Sequence, residues 1–402
     1  MENLPLKGVN ALDFTMGGVG PYTASYLAHY GATVIKVESP TLPDGVRSMP
    51  PFKGGVYGHS YWFSHGMSSK RYAITLDLNH PRGRELSKKL IDWVDVIVDS
   101  FTTGTLEKWG LDYDSLKKIK PEIIMLRTCM HGHTGPLAKH HGQGFVLTAL
   151  SGLDTLTRWP DRPPSGLRGA FTDMVAPLFN VISIITALDY RRRTGKGLYI
   201  DQAQHEAVMH WIAPLILDWT VNHREPVINS NRLPCAAPHG FYRCQGDDRW
   251  CAIAVFTDDE WESFCRIIGN PSLAKDPKFD TLLSRKQNED ELDKIVEGWT
   301  IKHDPQEAMT LMQAGGVAAG AVSSSKDVAA DPQLAHYHFF NEMDHPEMGK
   351  LSFYHGPIVR LSKASYEMGR PPLLGEDNEY VYTKLLGLSD EEWVDLMAEG
   401  VI

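Results

Sequence analysis

The 402-residue sequence has little that would commit it to a membrane, a disulfide scaffold or a nucleic acid. No segment approaches the roughly 18 uninterrupted apolar residues of a bilayer span. The longest apolar run, Met174 to Leu188, is broken by Pro177, Asn180 and Ser183. Met1-Glu2-Asn3-Leu4-Pro5-Leu6-Lys7 lacks an apolar core of signal-peptide length, so a cytoplasmic protein is expected. The five cysteines are odd in number and never spaced Cys-x-x-Cys, which fits reduced thiols and excludes a disulfide framework. Positive charge is in deficit: 40 Lys and Arg against 50 Asp and Glu leave a net charge of −10. A nucleic-acid partner, which needs a positive surface, is not expected. There is no Gly-x-Ser-x-Gly nucleophile elbow, no internal repeat and no low-complexity tract.

What is present is an ordinary globular composition, 42% hydrophobic and 22% charged, in a chain long enough for a large domain and a smaller one. Strand signals at Val9–Phe14, Ala32–Glu38, Ala73–Leu78, Asp95–Val98 and Ile123–Leu126 alternate with helix signals at Pro21–His29, Gly83–Trp93 and Tyr113–Lys118. That alternation predicts an α/β fold with a parallel, doubly wound sheet. A helical middle is expected from about Phe145 to Asn222, and a linker from Pro226 to Pro238. A hairpin is expected from Phe241–Cys244 and Trp250–Val255, with polar helices to about Gln313. Gly315–Val322 and Pro371–Gly375 read as returns to the larger body.

Three constellations invite chemistry. Leu12 to Glu38 imitates a dinucleotide fingerprint: a strand, then Gly18-Val19-Gly20, a helix, and an acid about 20 residues on. Pro21 and Ala24 depart from that pattern, which weakens an NAD reading. His131-Gly132-His133 and His140-His141 lack a carboxylate or Cys at ligand spacing, so loop histidines and no metal are expected. Lys70-Arg71 and Arg191-Arg192-Arg193 read as solvated faces. Asp173, in Gly169-Ala170-Phe171-Thr172-Asp173, stands at the mouth of the apolar run. It is either a helix N-cap or a reactive carboxylate near the positive end of a helix.

Several segments together resemble class III coenzyme A transferases, the CaiB/BaiF family of formyl-CoA and carnitine CoA-transferases. They are Leu6 through Thr15, Gly20-Pro21, Gly31 through Glu38, Ser69-Lys70-Arg71, Leu76-Asp77-Leu78, Gly132 through Pro136, Ala149 through Gly152, Asp173 through Ala207, and Pro371 with Leu374-Gly375-Glu376. The resemblance runs nearly end to end. It implies a Rossmann-like large domain with an inserted smaller α+β domain, and an interlocked dimer. The expected bounds are 1–222, then 223–315, with 316–402 returning to the large domain. A homodimer or a paralogous heterodimer is expected, with acyl-CoA and a carboxylic acid as substrates and coenzyme A as the carried group.

The resemblance also assigns roles. Asp173 falls on the family's nucleophile. CoA contacts fall on Gly18, Val19, Ser39, Leu76, Asp77, Leu78, Asn79, Ser100, Phe101, Thr102, Lys108, Gly142, Gln143, Gly144 and Phe145. Four departures stand out: Gly18 replaces a glutamine of the formyl-CoA enzyme, Ser39 an arginine, Lys108 another arginine, and the glycine-rich lid is missing from Pro234–Phe241. These favour a succinyl-CoA-type donor and a larger alkyl or aromatic acceptor, for which Trp62, Trp211 and Trp219 are candidate pocket residues. Two alternatives remain at this stage. One is an acyl-CoA racemase of the same fold, whose histidine base aligns with Gln143 here while His141 faces elsewhere. The other is an NAD-dependent oxidoreductase.

Overall fold

Strands that send alternate residues to opposite faces need apolar side chains at every position when both faces are covered. β1 (Asn10–Phe14), β4 (Val96–Asp99) and β5 (Ile124–Cys129) are buried along nearly their whole length and apolar apart from Asn10 and the polar residues Asp13, Asp99, Arg127 and Thr128 toward their carboxyl ends. Ala11, Val96, Val98, Ile124 and Leu126 enter one core layer, and Leu12, Phe14, Ile97 and Met125 the other. With β2 (Thr33–Glu38), β3 (Tyr72–Thr75) and β6 (Leu198–Ala203) they form a six-stranded sheet in the order β3-β2-β1-β4-β5-β6. Every pairing in it is parallel. The computed structural model describes residues 3–63, 70–167, 170–228, 230–353 and 358–402. Ser69 of the Ser69-Lys70-Arg71 motif, Gly169 ahead of Asp173, and Asn229 of the expected linker lie outside them.

Helices cover both faces of the sheet. α1 (Val19–His29) contributes Ala24 and Leu27 to the first layer. α2 (Pro81–Ile91), α3 (Thr105–Trp109) and α4 (Tyr113–Ile119) contribute Leu86, Leu90, Leu106 and Leu116 to the second, joined there by Tyr382, Leu396 and Val401 from the chain's end. α5 (Gly144–Leu150) and α6 (Leu153–Leu156) precede α7 (Phe171–Thr194), whose Ile184 and Ala187 close the first layer. α8 (Gln204–Asn222) follows β6 directly. α7 is long and apolar enough to cross a membrane by length and composition. Here its Ile184 and Ala187 pack in the core, and its buried Asn180 donates to Thr23 Oγ1 of α1 at 3.0 Å.

Two compact units result: residues 3–156, 165–225 and 335–402 form the first, and 157–164 with 226–334 the second. In the second, β7 (His239–Arg243), β8 (Trp250–Ala254) and β9 (Ala318–Ala321) make an antiparallel sheet over a core of Tyr242, Ile253, Trp261, Phe264, Leu292 and Met312. The return at 316 is therefore corrected. Gly315–Val322 supplies the third strand of the small sheet, and the chain rejoins the first unit at Ala335. β6 was hidden in the expected helical middle. It is an edge strand of alternating exposed and half-buried residues, running straight into α8. All five cysteines are free.

Arg71 corrects another expectation: it is buried, not solvated. Its Nη1 donates to Asp13 Oδ2 at 3.0 Å, its Nη2 to the Pro21 carbonyl at 2.9 Å, and it also bonds Ser25. One guanidinium, carried by the residue just before β3, thus ties that strand's start to β1 and the start of α1. Removing one member of such a buried pair leaves an uncompensated charge, at a cost of about 3–5 kcal/mol. Arg71→Met should lower the urea midpoint accordingly in equilibrium unfolding. An unchanged midpoint would show that the ion pair contributes nothing to stability.

Candidate active site

Parallel sheets of this strand order offer a crevice where neighbouring connections leave in opposite directions, at the carboxyl ends of the strands. Here that point lies between β1 and β4. A cavity of about 540 Å³ opens there, lined by residues after β1 (Met16 to Val19, Tyr22), after β4 (Ser100, Thr102, Thr103) and at the end of β5 (Cys129 to His131). Asp173 on α7 completes the lining with Gly142 to Phe145.

Asp173 is not the cap of its helix. Ala170 holds that position without a side-chain bond, and Asp173 sits in the first turn with its own N–H on the Ala170 carbonyl at 2.9 Å. Its carboxylate instead touches backbone from two other segments. A Cβ on Gly18 would stand 2.7 Å from Asp173 Oδ2, and one on Gly144 would stand 2.9 Å from Oδ1 and 2.4 Å from the Ala170 Cβ. No side chain fits at either place. The carboxylate therefore faces the first turn of α1, whose leading N–H groups have no partner within the helix. Burial pushes Asp173 up to about 6, with the Thr172 hydroxyl working weakly the other way. Tyr22 lines the same cavity, and burial, then the Asp173 charge, keeps its phenol protonated. Burial raises the Cys129 thiol to about 11, so it is no nucleophile near neutral pH.

The turn carrying Gly17 and Gly18 is fixed by buried charge. Asp13 Oδ1 accepts from the Thr15 N–H at 2.9 Å and the Thr15 hydroxyl at 2.5 Å. Asp44 accepts from the Gly17 N–H at 3.1 Å and pairs with Lys36 at 3.5 Å, and Lys36 also donates to the Thr15 carbonyl. Glu38 stands where the dinucleotide pattern wants its ribose acid, but it is already engaged. It accepts from Arg47 Nε and Nη2 at 2.9 and 2.7 Å and from the Asp44 N–H at 2.9 Å. The space beside Gly18 is taken by Asp173, not left for a pyrophosphate.

Of the residues singled out in the sequence, Asp173, Gly18, Val19, Ser100, Thr102, Gly142, Gln143, Gly144 and Phe145 line one cavity. Ser39, Leu76, Asp77, Leu78, Asn79, Phe101 and Lys108 are not among its lining residues. Leu76 and Leu78 are core, Phe101 packs edge-on to Trp109, Ser39 closes a local turn onto the Thr41 and Leu42 N–H groups, and Lys108 is exposed on α3. Trp62 lines the cavity, while Trp211 and Trp219 are exposed on α8 and do not. His141, expected to face elsewhere, is in the lining with His131 and His140. Sequence reasoning also passed over Tyr22, Asp44 and Gln204. The available signal was position, since Tyr22 lies one turn into a helix that leaves a strand end and Gln204 opens a helix directly after β6. Among the described residues no group of three His, Cys, Asp or Glu could hold a metal ion.

A carboxyl raised from its ordinary 3.8 to about 6 makes a signed contribution to stability. The unfolded chain gives up this proton first, so ionising it in the folded state costs stability as pH rises through that window and a constant amount above it. The cost at neutral pH is on the order of 2–3 kcal/mol. Asp173→Asn should raise the melting temperature at pH 7.5 and give no gain at pH 3.5. A gain that persists at the lower pH would mean that packing, not charge, is responsible.

Comparison with known proteins identifies the frame around this acid. The model of CoA-transferase family III matches residues 6–378. The chain is 31% identical, over 99% of its length and 98% of the relative's, to the succinyl-CoA–D-citramalate CoA-transferase of Chloroflexus aurantiacus. It is 31% identical, over 99% of its length and 90% of the relative's, to the succinyl-CoA:glutarate CoA-transferase of Mus musculus. A CAIB/BAIF family protein from Brucella suis has the same fold, with a TM-score of 0.87 at 31% identity, covering 96% of this chain and all of that one. Matched along almost its whole length, with its acid at the switch point of the sheet, this chain belongs to CoA-transferase family III and is an enzyme acting on CoA thioesters.

Proposed function

We propose that the protein moves CoA from a succinyl-CoA-type donor to a dicarboxylic acid, with Asp173 as the covalent nucleophile. The observation that carries this is the Asp173 carboxylate, held between the Gly18 and Gly144 backbones and open to a cavity large enough for an acyl group and the end of a thioester. An Asp173 oxygen attacks the thioester carbonyl, the C–S bond breaks, and CoA thiolate leaves a mixed anhydride. The thiolate attacks the aspartyl carbonyl, releasing the donor acid and forming an aspartyl-CoA thioester. The acceptor carboxylate then attacks that thioester, its C–S bond breaks, and CoA thiolate leaves a second mixed anhydride; the thiolate attacks the acceptor's acyl carbonyl there, forming the new CoA ester and freeing the Asp173 carboxylate. Each step exchanges one acyl bond for another, with no net proton transfer.

The Asp173 carboxylate lies beside Gly18 at the start of α1, and the reading assigns stabilisation of each tetrahedral oxyanion to the unpaired N–H groups of that helix start. Succinyl-CoA as donor and dicarboxylic acids as acceptors are supported by the names of the citramalate and glutarate relatives. An aromatic acceptor draws less support, because two of the three candidate tryptophans lie outside the cavity.

Two copies are proposed to associate through α7 and α8. Leu178, Ile182, Ile185, Trp211, Leu217 and Trp219 on these helices are all 48% or more exposed, and large apolar side chains gathered in the open on neighbouring helices mark an interaction surface.

Asp173→Ala should lose transfer by three or more orders of magnitude, and wild-type protein incubated with succinyl-CoA and then hydroxylamine should carry the tag on the Asp173 peptide. Turnover near the wild-type rate in that variant would overturn the covalent role. The racemase alternative is tested separately, because His141 does line the cavity. A 2-methylacyl-CoA incubated in heavy water without an acceptor acid should gain no deuterium at its α carbon. Rapid exchange there, with no transfer to added acids, would favour a racemase. In sedimentation equilibrium the protein should behave as twice the 45.0 kDa chain, and Ile182→Glu should shift it toward one chain. A monomer at all concentrations would remove the proposed interface.

A further inference from the structure

Among the described residues, the lining of the Asp173 cavity includes an amide that the fold does not use. Gln204 opens α8, lines the cavity and is only 7% exposed. Its Oε1 is buried and accepts no hydrogen bond, and its Nε2 donates none among the described residues. Other polar groups of the lining are engaged. Ser100 Oγ meets the Met16 backbone at 3.0 and 3.3 Å, the Thr103 hydroxyl meets His133 Nδ1 and the Ala138 carbonyl at 3.0 Å, and His131 meets His140 at 3.2 Å. Gln202, two residues earlier on β6, accepts from the Thr128 hydroxyl at 2.5 Å and donates to the Ala203 carbonyl at 2.9 Å. A buried amide without partners is destabilising, and a fold keeps one where a ligand supplies the missing bonds.

Packing sets the place of Gln204 relative to the nucleophile. Val19, Ala176 and Ala207 form one small buried cluster, so the beginnings of α1, α7 and α8 meet there. Asp173 stands three residues before Ala176 and Gln204 three before Ala207, each on the same helix face and one turn nearer the helix start. Gln204 thus shares the Asp173 end of the cavity, where the acyl group of a bound thioester must lie. The oxygens of a carboxylate, a thioester or an anhydride only accept, so they can serve Nε2 but never Oε1. A hydroxyl both accepts and donates. A primary amide presents its N–H and its carbonyl side by side, and the last side-chain torsion of glutamine has no sharp preference, so either end can turn to the cavity.

We propose that Gln204 is a specificity-determining residue that reads a hydroxyl on the acyl chain, close to the thioester carbonyl, and that the enzyme therefore prefers hydroxylated acids to their plain counterparts. The inference rests on the CoA-transfer reading of this same cavity. A site built to bond a substrate hydroxyl rejects the analogue lacking it, because a methylene there leaves the buried amide unpaired. The other donor a thioester could offer is an amide N–H of the CoA arm, which is common to every acyl-CoA.

The test is equilibrium binding of 2-hydroxyglutaryl-CoA and glutaryl-CoA, which differ by one hydroxyl beside the thioester, to full-length Asp173→Ala protein with Gln204 intact or replaced in Gln204→Leu or Gln204→Met. With Gln204 the hydroxylated thioester should bind about tenfold more tightly or better, the scale of a buried hydrogen bond. Either replacement, close in volume and without an amide, should bring the ratio near one while glutaryl-CoA binds as before or more tightly. The ratio should be flat from pH 6 to pH 8, because the amide does not titrate. A ratio near one with Gln204 present, or a preference that survives its replacement, would overturn the proposal. So would an equal loss for both thioesters, which would assign the amide to the CoA arm, or a ratio that moves with pH, which would assign the hydroxyl to the histidines of the lining. Failure of the transfer reading looks different: wild-type protein would then move CoA between no pair of acids, whatever the binding ratio.

Discussion

The site depends on a close approach that only backbone can make. Asp173 reaches its position because Gly18 and Gly144 have no side chains, and a single methyl at either would collide with the carboxylate or with Ala170. This contact places a carboxylate against the start of α1, where the helix field favours negative charge, yet burial still lifts it to about 6. The two influences leave a carboxylate that is ionised near neutrality but poorly solvated. Such a group is a better nucleophile than a hydrated surface aspartate, because less water must be removed before it attacks. The price is stability, and the remainder of the first unit supplies it.

Much of that support is concentrated around the β1–α1 turn. A glycine turn is loose by itself. Here Asp13, Thr15, Lys36, Asp44 and Arg71 bind its carbonyls and N–H groups from below, and Arg47 on Glu38 completes the ring. Buried charges of this kind are weak stabilisers compared with apolar packing, but they define one geometry because any other leaves a charge unpaired. The Asp99–Arg127 pair at 2.8 Å, extended to Glu107 at 2.6 Å, does the same for the β4 loop that carries Ser100 to Thr103. Both loops meet the cavity, so the geometry of the site is set by ionic clusters beneath it.

Short, mostly apolar runs made β1 to β5 legible, and with them the parallel sheet, because strands covered on both faces carry apolar residues at most positions. β6 escaped because it is an edge strand with a polar face, and β9 because four small residues, Ala318 to Ala321, carry no period at all. Asp173 was legible as a position at a helix mouth but not as a contact. The glycines that shape its surroundings come from segments about 155 and 29 residues away, and no local pattern encodes that meeting. Arg71 was misread for the same reason, since its partner Asp13 lies 58 residues earlier. Glu38 looked like a ribose acid because its spacing is right. Only the arrival of Arg47 shows that the carboxylate is spoken for.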